Sequence, residues 1–352
     1  MRIVIPRESV AGERRTSATP ETVKKMIRLG AEVAIESGAG AAVGFDDSIY
    51  AELGAEIVAD RAALLGSADM VLRLRKPEPD EIGMMKSGCI HVSYLDPFNE
   101  RDLIKTLADK GITAISMEMI PRSTRSQKMD ALSSQANLAG YVAVMLAAAQ
   151  LPRIFPMLMT PAGTLKPAKV FIIGAGVAGL QAIATAKRLG ARVTAFDTRP
   201  VVAEQVQSLG GKFLEIDLGD TGQTSDGYAK ELTPEQVEIQ RQAQKDVIAD
   251  SDVVITTAQV FGRKPPVLVT KDMVEGMAPG SVIVDMAAET GGNVEGSVPD
   301  ETVVVDGVTI VGTANLANEV AKDASQMYAS NLFNLVEDLS LIHISEPTRL
   351  DG

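Results

Sequence analysis

Tryptophan is missing altogether from the 352 residues, cysteine occurs once, histidine twice, and aromatic residues make up only 4%. The single cysteine, Cys89, excludes a disulfide framework and a cysteine-built zinc cluster. Positive charge is the minority sign: 34 Lys and Arg against 46 Asp and Glu leave a net charge of −12. That balance argues against nucleic acid as a partner, because phosphate binding needs clustered cations. No basic flank and apolar stretch of a signal peptide precedes the first strand, expected at residues 2–6. The most apolar run, residues 136–151, contains Asn137 and Gln150 and is shorter than a bilayer span requires. It is expected to be an interdomain helix of a cytoplasmic chain that makes no direct membrane span.

What is present is aliphatic. Apolar residues reach 45%, and the chain is rich in Ala, Val and Ile, with 30 glycines, which is the composition of an α/β protein. The length suits two domains, each able to bury its own core. Apolar segments at 2–6, 32–36, 70–74, 91–95 and 113–117 read as strands separated by helices. Thr19-Pro20-Glu21 opens the first of these helices and Gly30 stops it, with Val23, Met26 and Ile27 as its buried stripe. The pattern breaks in a polar segment around residues 122–134, a long Ala-rich helix comes next, and the alternation restarts at Lys169. Six further strands, at 169–173, 192–196, 212–216, 252–256, 281–285 and 309–312, match a doubly wound dinucleotide fold. A last helix, 319–336, is expected to return to the first domain.

The expected architecture is therefore α/β: two Rossmann-like lobes, parallel sheets flanked by helices, with a cleft between them. The first lobe is discontinuous, residues 1–135 plus 314–338, and the second covers 136–313. Residues 339–349, LSLIHISEPTR, resemble the translated end of a sequencing adapter. Residues 339–352 are accordingly set aside, with the natural sequence expected to stop near Asp338.

The chemistry is most legible in the second lobe. An apolar strand runs straight into Gly174-Ala175-Gly176-Val177-Ala178-Gly179, and a helix comes directly after. Gly174 permits a tight turn, Gly176 lets a pyrophosphate approach the backbone, and Gly179 lets the helix pack closely on the strand. The helix N-terminus then offers N–H groups and the positive end of its dipole to the phosphates. Asp197 ends the next strand, 18 residues after Gly179, where a carboxylate accepts from the adenosine ribose hydroxyls and repels a 2′-phosphate. NAD(H) is thereby favoured over NADP(H), although Arg199 two residues later could neutralise a phosphate. Ala175, Val177, Thr198 and Ala258 complete this candidate set, with Gly227 and Tyr228 in a long polar loop, 218–234, read as a lid.

Little acid–base machinery remains. Outside the tail the single histidine, His91, sits in a strand, where a structural role is at least as fitting as a catalytic one, and Cys89 reads as a small core residue. Reducing a carbonyl or imine needs a placed acid. Hydride transfer between two nicotinamides moves no proton with the hydride, so catalysis can rest on holding two rings aligned.

The segment PRSTRSQKMDALSSQANLAGY, residues 121–141, closely resembles the signature loop of the NAD(H)-binding domain of proton-translocating transhydrogenases. GAGVAGLQAIATAKRLGA, the GYAKEL loop and VIVDMAAETGGN resemble that family too, and the likeness covers about residues 1–338. The resemblance implies that Arg122, Gln127, Asp130 and Ser133 hold the nicotinamide end of NADH and that Tyr228 closes over it. It further implies a homodimer, with partner subunits that bind NADP(H) and conduct protons through the inner membrane, to which this chain attaches peripherally. The closest rival is alanine dehydrogenase, whose substrate arginine is matched by Arg15. Its catalytic lysine, histidine and late aspartate are replaced here by Arg75, Asp96 and Glu289. A non-catalytic NAD(H) sensor is the second alternative, since binding and turnover share one fold.

Overall fold

The computed structural model describes residues 1–219, 221, 232–259 and 262–345, the last six of these by backbone alone. The chain divides into two compact units, Met1–Gln135 with the chain from Val320 onward, and Ala136–Glu319.

Unit 1 runs β1 (Arg2–Ile5), α1 (Pro20–Arg28), β2 (Glu32–Glu36), α2 (Asp47–Glu52), β3 (Glu56–Val58), α3 (Arg61–Ser67), β4 (Met70–Leu72), α4 (Pro79–Met84), β5 (Ile90–Ser93), α5 (Arg101–Asp109) and β6 (Thr113–Ser116). All six strands are parallel, in the order β3-β2-β1-β4-β5-β6. The two-residue period of a strand explains its two cores. Ile3 and Ile5 share one core with Val33, Ile35 and Leu72, while Val4 shares another with Ala34, Leu64, Leu65 and Val71. At α1, Pro20 sits in the first turn, and the hydroxyl of Thr22 accepts from the Thr19 amide at 3.0 Å, a reciprocal cap. Strand β3 is not apparent in the sequence, because three residues at a sheet edge carry little periodicity.

Helix α6 (Ala131–Gln150) is longer than the apolar run that announces it. At 20 residues it is long and apolar enough, by length and composition, to cross a membrane, which corrects the expectation that it falls short. Its polar first turns are used within unit 1. The Ser134 hydroxyl donates to Asn331 Oδ1 at 2.7 Å, and Gln135 donates to the Ala324 carbonyl at 3.0 Å. Further on, an added Cβ at Gly140 would stand 2.1 Å from the Ala178 carbonyl oxygen, so the helix packs backbone to backbone there.

Unit 2 opens with an exposed hairpin, β7 (Leu158–Thr160) and β8 (Gly163–Leu165). Next come β9 (Lys169–Ile173), α7 (Val177–Arg188), β10 (Arg192–Phe196), α8 (Ala203–Ser208), β11 (Lys212–Phe213), α9 (Pro234–Ala249), β12 (Val253–Thr256), α10 (Lys271–Glu275), β13 (Val282–Asp285), β14 (Thr302–Val305) and β15 (Val308–Val311). The sheet order is β11-β10-β9-β12-β13-β15-β14, parallel except for the outermost pair. Six strands are expected and, among the described residues, this sheet has seven. β14 folds back on β15 through Asp306-Gly307, both at positive φ, the local signal of a tight hairpin turn. β11 stops at Phe213 rather than at residue 216, although the Leu214 amide still reaches the Ala195 carbonyl at 2.8 Å.

The chain returns to unit 1 as α11 (Ala321–Ser345). Tyr328, Leu332, Leu335 and Val336 join the core around Ile3 and Ile5. The Tyr328 hydroxyl donates to the Arg73 carbonyl at 2.9 Å.

In an open parallel sheet, ligands enter where the strand order reverses. In unit 1 that crevice lies beyond the carboxyl ends of β1 and β4, and charged side chains of the protein fill it. Arg73 is fully buried, with Nη1 2.5 Å from Glu81 Oε2 and Nη2 3.8 Å from Glu8 Oε2. Glu8 also accepts the amides of Leu74 at 2.6 Å and Arg75 at 3.1 Å. Arg61 bridges Glu81 at 2.6 Å and Glu36 at 2.9 Å. Burial pushes the Glu8 carboxyl up from its ordinary value, with Arg73 pulling the other way. Arg73→Met leaves the buried Glu8 carboxylate without its cation and Glu81 with Arg61 alone, and is expected to cost at least about 3 kcal/mol. Urea unfolding at pH 7.5 reads this directly, and a loss below about 1 kcal/mol would show the crevice to be wetter than its geometry implies.

Candidate nucleotide-binding site

The glycine turn after β9 has three glycines with three different reasons to be glycine. Gly174 lies at φ 103°, a conformation L side chains rarely adopt, and an added Cβ would stand 2.3 Å from the Thr257 hydroxyl. At Gly179 the added atom would lie 1.9 Å from the Gly174 carbonyl oxygen, so α7 packs directly on the turn. At Gly176 it would meet only Arg199 Nη2, at 4.0 Å. Among the described residues no nearer atom occupies that space, which lies in front of α7, whose first amides have no partner within the helix and are donors of the kind a pyrophosphate takes. The Thr257 hydroxyl donates to the Gly174 carbonyl at 3.1 Å and holds the turn from the end of β12.

Asp197, buried at the end of β10, closes the turn from the other side. Its Oδ2 accepts from the Ala175 amide at 2.8 Å and from Arg199 Nη2 at 2.9 Å. Its Oδ1 accepts from the Arg199 amide and Nε, both at 2.9 Å. Four donors use the acceptor positions of one carboxylate. A ribose diol arriving at Asp197 therefore displaces at least one bond of the arginine. The hydrogen-bonded carboxylate raises the arginine's pKa further. The neighbouring Thr198 carbonyl accepts from the Thr221 hydroxyl at 2.8 Å.

Three groups that hold this edge are not singled out by the sequence. Asp285 at the end of β13 is fully buried and accepts from the Thr256 hydroxyl at 3.2 Å. It also takes the amides of Ala287 at 3.0 Å, Asn293 at 3.0 Å and Val294 at 3.2 Å. Asn293 in turn donates its side-chain amide to the carbonyls of Ala258 at 3.2 Å and Pro266 at 2.8 Å. Thr257 completes the group. VIVDMAAETGGN stands out as a motif, but what its aspartate does depends on amides eight and nine residues away, which spacing alone does not announce.

In unit 1, Arg122, Asp130 and Ser133 come together. Arg122 Nε lies 3.6 Å from Asp130 Oδ2, and the Ser133 hydroxyl donates to that oxygen at 2.6 Å. Asp130 Oδ1 accepts the Ser133 amide at 2.9 Å, which makes Asp130 the N-cap of α6 as well. Gln127 begins a single helical turn, Gln127–Met129, and its side chain is exposed. The turn is anchored: Met129 is buried in the unit 1 core, and the Lys128 carbonyl accepts from Asn331 and Asn334, each at 2.9 Å. Gly227 and Tyr228 lie outside the described residues.

Two residues of the rival reading, Arg15 and Arg75, are committed to one carboxylate, Glu13. All three Arg15 nitrogens are engaged, Nε and Nη2 by Glu13 at 2.7 Å each and Nη1 by Gln135 at 2.9 Å. Arg75 Nε reaches the same Glu13 carboxylate at 2.9 Å. Burial alone would raise the Glu13 carboxyl, but its hydrogen bonds to Arg15 and the charges of Arg15 and Arg75 hold it down at about 2. His91 is fully buried, 3.0 Å from the Ser93 hydroxyl; burial first, then the Arg73 charge, lowers its pKa to about 3. It is neutral at physiological pH and structural. Burial lifts the Cys89 thiol to about 11 and leaves no ready nucleophile there. Among the described residues no group of three or more His, Cys, Asp or Glu could hold a metal ion.

A parallel sheet with the glycine turn at its switch point and an acidic residue at the next strand end defines a dinucleotide-binding α/β protein. Residues 4–139 match the family profile described as alanine dehydrogenase/PNT, N-terminal domain, and residues 143–349 its C-terminal domain. The chain belongs to this alanine dehydrogenase/PNT family of oxidoreductases. It is 45% identical over 356 residues to the first portion of NAD(P) transhydrogenase subunit alpha of Rhodospirillum rubrum, covering 99% of this chain and 92% of that one. The crystal structure of transhydrogenase from Sinorhizobium meliloti superposes with a TM-score of 0.87 at 43% identity, over 96% of this chain and 94% of that one. An L-alanine dehydrogenase structure gives 0.81 at 28% identity, over 98% and 91%.

Proposed function

We propose that the chain is the NAD(H)-binding catalytic component of a proton-translocating transhydrogenase, passing hydride directly between NADH and NADP⁺ carried by a partner domain. The observation that carries this reading is the anchored cluster of Arg122, Asp130 and Ser133 beside an exposed Gln127. Bound NADH supplies the hydride. The chain's own part is positional: Asp130 and Ser133 hold the ribose and carboxamide, Arg122 offers its planar N–H donors, and Gln127 bridges outward to the second nucleotide. No group of this chain needs to give or take a proton, which suits a fold whose Arg15 is fully engaged and whose His91 stays neutral.

The partners follow from the same reading. NADP(H)-binding and proton-conducting membrane subunits complete the enzyme, and the chain associates with the inner membrane through them. A homodimer is supported by the apolar surface of the β7–β8 hairpin, where Leu158 is 47% and Met159 73% exposed.

Gln127→Asn tests the positional role. Hydride exchange with a purified NADP(H)-binding partner domain, followed with a nicotinamide analogue, is expected to slow by roughly tenfold or more. The NADH dissociation constant is expected to change by less than about twofold. Equal losses in both would remove the role. Pyruvate-dependent NADH oxidation by the chain alone would instead favour the amino acid dehydrogenase.

A further inference from the structure

The Asp197–Arg199 pair goes further than a carboxylate that repels phosphate, and its role rests on the nucleotide-binding function proposed for this turn. Arginine's planar fork matches a carboxylate or a phosphate with two parallel hydrogen bonds. Here the fork is spent on the carboxylate: Nε meets Oδ1 and Nη2 meets Oδ2, both at 2.9 Å. The pair is largely buried, 14% exposed on the arginine side chain and 7% on the aspartate, so water screens it little. It stands beside the glycine turn, Nη2 lying 4.0 Å from where a Gly176 Cβ would be. Asp197 is also tied to the turn through the Ala175 amide at 2.8 Å, which fixes where the arginine is held.

We infer that Arg199 is a specificity-determining residue, a guanidinium able to bind a nucleotide 2′-phosphate that Asp197 keeps occupied. Two features then act together against NADP(H). The aspartate repels the extra phosphate, and it also retains the cation that would welcome it. With Asp197 gone, the two N–H groups it held need a new acceptor, and a 2′-phosphate at the ribose is the nearest chemistry that supplies one. The expected change is larger than relief of repulsion: the site gains a phosphate ligand. For an enzyme that exchanges hydride between two nearly identical nucleotides, this sorting keeps NADP(H) from entering the wrong seat.

The test is binding of NADH and of NADPH to the full chain by calorimetric titration, comparing the native sequence with Asp197→Ala, Asp197→Asn and Asp197→Ala/Arg199→Ala. The native chain is expected to bind NADPH at least tenfold more weakly than NADH. Asp197→Ala is expected to tighten NADPH binding at least tenfold, and the double variant to lose that gain. Asp197→Asn, which keeps an acceptor for the Ala175 amide, is expected to gain in the same direction should the alanine variant misfold. A double variant that binds NADPH as tightly as Asp197→Ala overturns the role of Arg199. So does the lack of any gain in both single variants. Failure of the native chain to bind NADH is a separate result, which sinks the nucleotide reading itself.

Discussion

Gly179→Ala is expected to lower NADH affinity by roughly 100-fold and to destabilise unit 2 by about 3 kcal/mol or more. The added methyl would stand 1.9 Å from the Gly174 carbonyl oxygen, a backbone atom of a tight turn that has no rotamer through which to yield. Helix α7 must then lift from β9, and the turn that holds the phosphates moves with it. Gly176→Ala provides the contrast. Its methyl meets nothing nearer than Arg199 Nη2 at 4.0 Å, so stability should hold within about 0.5 kcal/mol. NADH affinity should nonetheless fall by roughly tenfold or more, because the methyl occupies the approach of the pyrophosphate. Thermal unfolding and NADH titration of both variants separate the two mechanisms. If Gly176→Ala binds NADH as the native chain does, the pyrophosphate does not lie over this turn.

Acid is expected to unfold unit 1 early, and His91 is the main cause. Its pKa is about 3 in the folded chain against an ordinary value of 6.5. A base whose folded value is depressed contributes stability that is complete above 6.5 and lost as pH falls towards 3. The separation corresponds to about 5 kcal/mol. Glu13 adds to it lower down: its folded value of about 2 against 4.5 gives stability present above pH 4.5 and lost below, about 3 kcal/mol in full. Glu8, raised by burial, works in the opposite sense, since protonation relieves its cost. Between pH 6.5 and 4.5 the histidine by itself lowers the unfolding free energy by about 1.4 kcal/mol per pH unit, and the opposing protonation of Glu8 makes the net slope shallower. His91→Asn lowers stability at pH 7.5 but flattens that slope. Identical slopes in urea titrations of the two proteins would show that His91 is hydrated or charged in the fold.

The α/β class and the parallel order are legible in the sequence because both depend on short-range pattern. Apolar pairs such as Ile3 and Ile5 alternate with Val4, and the turn 174–179 needs its glycines for reasons confined to a few residues. What stays hidden depends on distance along the chain. Arg15 meets Gln135 across 120 residues, Ser134 meets Asn331 across 197, and Asp285 gathers amides from a loop that doubles back on it. The Arg199 side chain shows in the sequence only as a positive charge near the nucleotide; that Asp197 holds it is a fact of geometry. Helix α6 is longer than its sequence suggests for a related reason. Ser133 and Ser134 read as the end of a polar segment, yet Asp130 caps them into the helix, and Ser134 and the adjacent Gln135 find partners on α11.

The two units share the order of their first five strands, yet they use their switch points differently. In unit 2 the turn leaves room, while in unit 1 Arg73, Glu8 and Glu81 consume the equivalent space with internal charge. Duplication of a topology thus yields one seat per polypeptide. Titration should saturate at one equivalent of NADH, because the sister crevice has no room for a second; on the function proposed above, the hydride loaded there passes to a nucleotide carried by another molecule.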